Sequence, residues 1–276
     1  MTTFAACAAG IERIGPGARS LAEASAALPP GVYTTLRTYG GRMVLRLEEH
    51  LARLESSAAL LGHSLALDRA RLRVALRAGL EAAGFADSRV RITVAFASAF
   101  GPGEVFLSYE PLALPDPRLY EHGVRAACIP VARELPRAKS TAFIATATEY
   151  YARKPPEVYE YVMVSREGAL LEGLTSNFFA VRGGVLRTAE EGVLAGVTRA
   201  IVLEVAAGHR LCVARTPVHR DELPALDEAF ITSASRELVP VVAVDDVIIG
   251  SGRPGAVTQE LLAGYRMQVE RELGEI

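Results

Sequence analysis

Apolar and polar positions along this chain follow two different periods, and the switches between them mark out its elements. Val32 to Tyr39 is rich in β-branched and aromatic residues, and Arg42 to Leu47 resumes that pattern after Gly40-Gly41, which predicts a hairpin. Leu47, Leu51, Leu54, Ala58 and Leu61 then recur at steps of three and four, the mark of an amphipathic helix, with Gly62 as its stop. A second helix is predicted from Asp68, a good N-cap, to Gly84, with Leu72, Leu76, Leu80 and Ala83 on its apolar face. Strands at Val90–Ala97 and Glu104–Tyr109, joined by a Gly101-Pro102-Gly103 turn, complete a ββααββ unit. Residues 1–28 are Ala-rich and weakly patterned; a strand or two is expected there, then a mobile loop ending at Pro29-Pro30-Gly31.

Pro111, Pro115 and Pro117 make the clearest linker in the chain. The expected division is a small α+β domain over 1–114, a linker over 115–122 and a larger domain over 123–276. In that larger part, strands are predicted at Gly123–Val131, Val158–Ser165, Ala169–Glu172, Asn177–Val181, Val185–Arg187, Leu211–Val218, Glu228–Ser233 and Leu238–Ile249. Helices are predicted from Lys139 through Tyr151, over Thr198–Ala207 and over Gly255–Leu273. The fold class is α+β.

Composition narrows the function classes. A chain of 276 residues with 50% hydrophobic and 22% charged positions can bury a large core and is globular in character. With a formal net charge of −2, nothing argues for nucleic acid or an anionic membrane as partner, and neither is expected. Cys7, Cys128 and Cys212 are isolated, and the five histidines, His50 among them, show no paired ligand spacing, so neither a disulfide framework nor a metal site is expected. The N-terminus lacks a basic n-region and no apolar run approaches the roughly 20 residues of a spanning helix. A cytoplasmic enzyme is the expectation.

Of the 30 basic residues only Lys139 and Lys154 are lysine. A lysine kept against such an arginine bias points to a need for its amine, because a guanidinium stays protonated while a lysine can form a Schiff base. Lys154 precedes Pro155-Pro156, an exposed-loop context, which leaves Lys139 in Pro136-Arg137-Ala138-Lys139-Ser140-Thr141. Downstream lie Glu172 in Leu171-Glu172-Gly173-Leu174-Thr175-Ser176-Asn177, the chain's one asparagine at Asn177, and the glycine turn Gly196-Val197-Thr198-Arg199 entering a helix. Backbone N–H groups at such a helix start suit a phosphate. A hydroxyl-rich strand end, Ile231-Thr232-Ser233-Ala234-Ser235, offers further N–H groups, and Arg53 in the first helix could supply a cation. Singly these are a turn carboxylate, a capped helix and a helix-surface charge; their order and spacing together are what is specific.

These segments resemble the fold-type IV pyridoxal-phosphate enzymes, the class IV aminotransferase family, which includes branched-chain and D-amino-acid aminotransferases and 4-amino-4-deoxychorismate lyase. The resemblance runs from about Gly31 to about Gly255. It implies a small ββααββ domain beside a strand-rich pseudo-barrel, a homodimer, and pyridoxal 5′-phosphate between the domains. It further implies that Lys139 forms the Schiff base and shuttles the substrate's α-proton, and that Glu172 pairs with the pyridine nitrogen. Arg53, Val197, Thr198, Ser233 and Ala234 would hold the phosphate, Asn177 would order the segment beside Glu172, and Tyr33 and Phe100 would face the substrate.

The departures bear on the substrate. Ala234 stands where the family commonly has threonine. Residues Ala97–Gly103 lack the arginine and histidine with which D-amino-acid aminotransferases hold a carboxylate, leaving Arg91, Arg125 or backbone groups for that task; the lyase's Arg-Gly pair is missing too. Phe96, Phe100 and Phe143 would suit a hydrophobic side chain. The expected activity is amino transfer between a hydrophobic, branched-chain-like amino acid and a 2-oxo acid. A lyase on the same scaffold and a D-amino-acid aminotransferase stay open, and Lys139 with Glu172 argues against a non-catalytic descendant.

Overall fold

A computed structural model describes residues 1–7, 10–14, 17–97 and 103–276. In chain order the elements are β1 (Thr2–Cys7), β2 (Gly10–Arg13), α1 (Leu21–Ala26), β3 (Gly31–Tyr39), β4 (Met43–Leu45), α2 (Leu47–Leu60), α3 (Arg69–Ala83), β5 (Ser88–Ala95) and β6 (Val105–Pro111). There follow α4 (Pro117–His122), β7 (Val124–Ile129), α5 (Ala142–Ala152), β8 (Glu160–Val164), β9 (Ala169–Gly173), β10 (Asn177–Arg182), β11 (Val185–Arg187) and α6 (Val197–Gly208). The last are β12 (Cys212–Ala214), β13 (Val218–His219), a 3-10 turn at Arg220–Ala225, β14 (Glu228–Ser233), β15 (Glu237–Val244), β16 (Val247–Ile248), α7 (Ala256–Glu272) and β17 (Leu273–Glu275). They form two compact units, one of Met1–Ala113, Ala138–Ala152 and Glu272–Ile276, the other of Leu114–Arg137 and Arg153–Arg271.

The first unit is a seven-stranded antiparallel sheet in the order β17-β4-β3-β5-β6-β1-β2. Val32 and Leu36, on one face of β3, join Val90, Ile92 and Leu107 in one core with Leu51, Leu54 and Ala58 of α2 and Leu72, Leu76 and Leu80 of α3. This is the period-2 face of a sheet meeting the period-3.6 stripe of two helices. Asp68 accepts from Arg71 N, and Gly84 closes α3 in the left-handed region at φ 69°. Leu76 is wholly buried and its carbonyl accepts the Tyr109 hydroxyl at 3.2 Å. Leu76→Ala is expected to lower unfolding free energy by about 3 kcal/mol through lost burial and the cavity left behind; urea denaturation measures it.

The second unit is built on a closed six-stranded barrel, β10-β14-β15-β7-β8-β9, with β9 returning to pair with β10. Val124, Ala126, Val162, Leu170, Phe178, Ala180, Ile231, Val239 and Val241 belong to its core. Closure occurs at a single register pair, Glu172 opposite Asn177, and Asn177 is in turn opposite Thr232. On β9, Leu170 and Gly173 face Val164 and Val162 of β8, so three steps oppose two. Such a bulge re-aims the side chains beside it, and Glu172 lies within it.

Several elements differ from the reading of the sequence. The loop expected before Pro29 contains α1, whose start is capped by the Ser20 hydroxyl accepting from Glu23 N. The proline-rich linker contains α4, with Asp116 as cap and Pro117 in its first turn. The strand expected over Leu211–Val218 is two, β12 and β13, separated at Pro217, which has no N–H for a ladder. That over Leu238–Ile249 is β15 and β16, turned between them where Asp245 takes φ 51°. The expected Gly101-Pro102-Gly103 turn begins outside the described residues.

Candidate active site

In the first unit the segment carrying Lys139 is laid along the start of β3. Tyr33 N donates to Lys139 O at 2.9 Å, Thr141 N to Gly31 O at 2.9 Å, and Gly31 N to Thr141 Oγ1 at 2.9 Å. Lys139 N donates to Ser57 Oγ of α2 at 3.1 Å. The lysine backbone is thus fixed from both sides, while its side chain is half-buried. Lys139 Nζ stands 4.8 Å from the centroid of the Tyr33 ring, and Arg91 Cζ stands 4.7 Å from the same centroid.

Arg53, His50 and Ser57 recur along α2 at steps of three and four and so share a face. Arg53 Nη2 donates to Thr34 Oγ1 at 2.8 Å and lies 3.4 Å from His50 Nδ1; Thr34 Oγ1 is 2.8 Å from the same nitrogen. Burial first, then the charges of Arg53 and Lys139, hold the His50 imidazole well below its usual range. Arg91, a candidate for the substrate carboxylate, gives its Nη1 to Leu21 O at 2.9 Å and Ser25 Oγ at 2.7 Å, tying it to α1.

In the second unit Glu172 is 2% exposed. Its Oε1 lies 3.1 Å from Arg133 Nε, and its Oε2 accepts from Asn177 Nδ2 and from Leu194 N, each at 3.0 Å. Asn177 Nδ2 also donates to Leu194 O at 2.9 Å. The carboxylate is therefore compensated by a guanidinium and two N–H donors, as a buried charge requires. The same bonds bolt the Leu194 loop, which leads into α6, to the barrel's closure.

Gly196 is the N-cap of α6 and offers no side-chain cap. A Cβ there would come within 2.2 Å of Asn177 Oδ1, so the close approach demands glycine. The first turn of α6, with Val197 and Thr198 both buried, consequently begins on bare backbone amides at the positive end of the helix dipole. At the end of β14, Thr232 Oγ1 is buried without a hydrogen-bond partner. Arg236 Nε donates to Ser233 Oγ at 3.0 Å, and Arg236 Nη2 reaches the buried Glu160 Oε2 at 3.1 Å. Arg125, the other carboxylate candidate, donates to Asp245 O at 2.9 Å.

The family model for amino-transferase class IV matches residues 31–244, a span that holds both Lys139 and Glu172. The chain belongs to this family. It is 30% identical over 253 residues to a D-alanine aminotransferase of Bacillus licheniformis, covering 88% of each chain. It is 28% identical to a branched-chain-amino-acid aminotransferase of Pseudomonas aeruginosa, covering 85% of this chain and 82% of that one. Its fold is similar to the crystal structure of a branched-chain aminotransferase from Thermoproteus uzoniensis, described with norvaline, at a TM-score of 0.80 and 26% identity over 100% of this chain and 99% of that one.

As a class IV aminotransferase the protein is a pyridoxal 5′-phosphate enzyme. The second unit fits that group on its own evidence. An uncapped, buried helix start, an orphaned buried hydroxyl at Thr232 and a buried carboxylate are what a phosphorylated pyridine ring calls for. Lys139, Arg53 and Tyr33 lie in the first unit, and Glu172, Asn177, Val197, Thr198, Ser233 and Ala234 in the second; Phe100 lies outside the described residues. Sequence reasoning missed Arg133, Thr34 and Ser57 and left His50 without a task. The steps of three and four from His50 to Arg53 to Ser57 were a usable signal; Arg133, far from Glu172 in sequence, had none.

Proposed function

We propose that this class IV aminotransferase moves the amino group of a hydrophobic, branched-chain-like L-amino acid to a 2-oxo acid, with Lys139 and Glu172 as its catalytic residues. The observation that carries the reading is the buried Glu172, held by Arg133, Asn177 and Leu194 N within the matched span. When bound, pyridoxal phosphate supplies an electron-withdrawing ring that makes loss of an amino acid's α-proton feasible. Lys139 Nζ would hold the cofactor and take that proton. Glu172 would face the ring nitrogen and favour its protonated form, with Asn177 keeping the carboxylate oriented. Arg53 and the amides at Val197 and Thr198 would bind the phosphate, helped by the turn at Ser233 and Ala234. Tyr33 and Phe100 would meet the substrate.

The branched-chain preference is supported by relatives named for that activity. A homodimer and a cytoplasmic location belong to the same reading. The free thiols of Cys7, Cys128 and Cys212 suit a reducing compartment, and no helix among the described residues is long and apolar enough to cross a membrane. The test is to titrate the holoenzyme with L- and D-amino acids, without any oxo acid, and follow the visible absorbance of the lysine-held cofactor. L-leucine, L-isoleucine and L-valine are expected to discharge the band. Discharge by D-alanine alone would move the substrate to D-amino acids, and no discharge by any amino acid would favour a lyase.

A further inference from the structure

Arg53 does not stand alone on α2. Its Nη2 donates to Thr34 Oγ1, a hydroxyl with one proton of its own to place. That oxygen lies 2.8 Å from His50 Nδ1, and both residues are buried, Thr34 at 0% exposure and His50 at 2%. The arginine can only donate, so Thr34 accepts from it, and the 2.8 Å approach lets the hydroxyl give its own proton to Nδ1. In that arrangement Nδ1 is the unprotonated nitrogen, and the ring is the neutral tautomer with its proton on Nε2. A proton on Nδ1 would face the Arg53 guanidinium 3.4 Å away and leave the Thr34 proton no acceptor there.

We propose that Thr34 and neutral His50 are positioning residues that set the Arg53 guanidinium for the phosphate of the cofactor. The relay has a direction: imidazole orients hydroxyl, hydroxyl orients guanidinium. It works because Thr34 sits on the face of β3 turned to α2, in line with the core residues Val32 and Leu36. The inference rests on Arg53 being a phosphate ligand, and it requires that the contribution of Thr34 and His50 be confined to the phosphate.

The experiment is to titrate the full chain, freed of cofactor, with pyridoxal phosphate and with pyridoxal, which lacks the phosphate. Thr34→Val, which keeps the side chain's shape, and His50→Leu are each expected to weaken pyridoxal phosphate by about tenfold, the usual effect of a hydrogen bond to a charged group. Pyridoxal binding stays unchanged. His50→Asn, whose amide oxygen can accept from Thr34, is expected to recover most of the loss. Nitrogen NMR of the unmodified protein at neutral pH should show Nδ1 unprotonated and Nε2 protonated. Should His50→Leu fail to fold, Thr34→Val carries the test. Arg53→Met separates the two layers of the argument. If it weakens only pyridoxal phosphate while Thr34→Val leaves both ligands alone, the relay is overturned and the phosphate role of Arg53 stands. If Arg53→Met treats the two ligands alike, that role fails and the relay with it. A protonated Nδ1 overturns the relay outright.

Discussion

Lys139→Ala is expected to abolish amino transfer, with turnover down by about 10⁴-fold, the upper range for loss of a positioned proton-transfer group, and to do so without unfolding the protein. This segment is fixed through its backbone. Lys139 N is held by Ser57 Oγ, Lys139 O by Tyr33 N, and the flanking Thr141 by both polar groups of Gly31. What alanine removes is a half-buried side chain whose Nζ stands over the Tyr33 ring. A contact of that kind contributes about 0.5–1 kcal/mol at exposed sites, so its loss should shift the melting temperature little. Borohydride reduction followed by peptide mass spectrometry should find cofactor on Lys139 in the native enzyme and none in the variant. Cofactor still covalently held after the substitution would point to Lys154, the chain's other lysine. The geometry argues against that: Lys154 Nζ is engaged by the carbonyl of Val158 and by Pro155 O at 3.5 Å, closing its own turn.

What could be read from the sequence, and what could not, follows the range of the interactions. α2 and α3 were legible because their apolar stripes are local and both ends of α3 carry a signal, Asp68 and Gly84. β14 was legible end to end as Glu228–Ser233. The α1 signal was present too, since Ser20 and Glu23 have the spacing of a cap, but a six-residue helix has too short a stripe to stand out. The site divides the same way. Lys139 stood out by rarity, and Glu172 by its place in a strand-turn-strand motif. The meeting of Glu172 with Asn177 is a register pair that exists only once the barrel closes, and the bulge on β9 is defined by a partner strand. Arg133 approaches Glu172 through tertiary structure alone, so no window of sequence contains the pair. Gly196 lies between these cases: its place before a helix was visible, but the reason for it, the Asn177 oxygen where a Cβ would go, was not.

Glu172→Gln is expected to lower turnover by about 10²–10³-fold, the scale on which loss of one preorganised electrostatic partner is felt, while cofactor stays bound through Lys139. The substitution keeps size and shape but exchanges an oxygen for an NH₂. In one orientation that NH₂ meets Asn177 Nδ2 and Leu194 N, donor against donor; in the other it meets Arg133 Nε. Neither orientation satisfies all three, and Arg133, 9% exposed, loses its counter-charge inside the protein. Stability should therefore fall as well, by about 3 kcal/mol, as when one partner of a buried ion pair is removed. Two losses from one substitution invite the objection that the inactive variant is merely damaged, and Arg133→Leu answers it. Combined with Glu172→Gln, it removes the buried guanidinium that has lost Glu172, so the double variant should regain part of the lost stability. Turnover should not return, because the carboxylate proposed to face the ring nitrogen is still missing. Recovery of both quantities together would make Glu172 a structural residue; recovery of stability alone leaves it in the chemistry, with Arg133 and Asn177 as the pair that keeps a negative charge at the seam of the barrel.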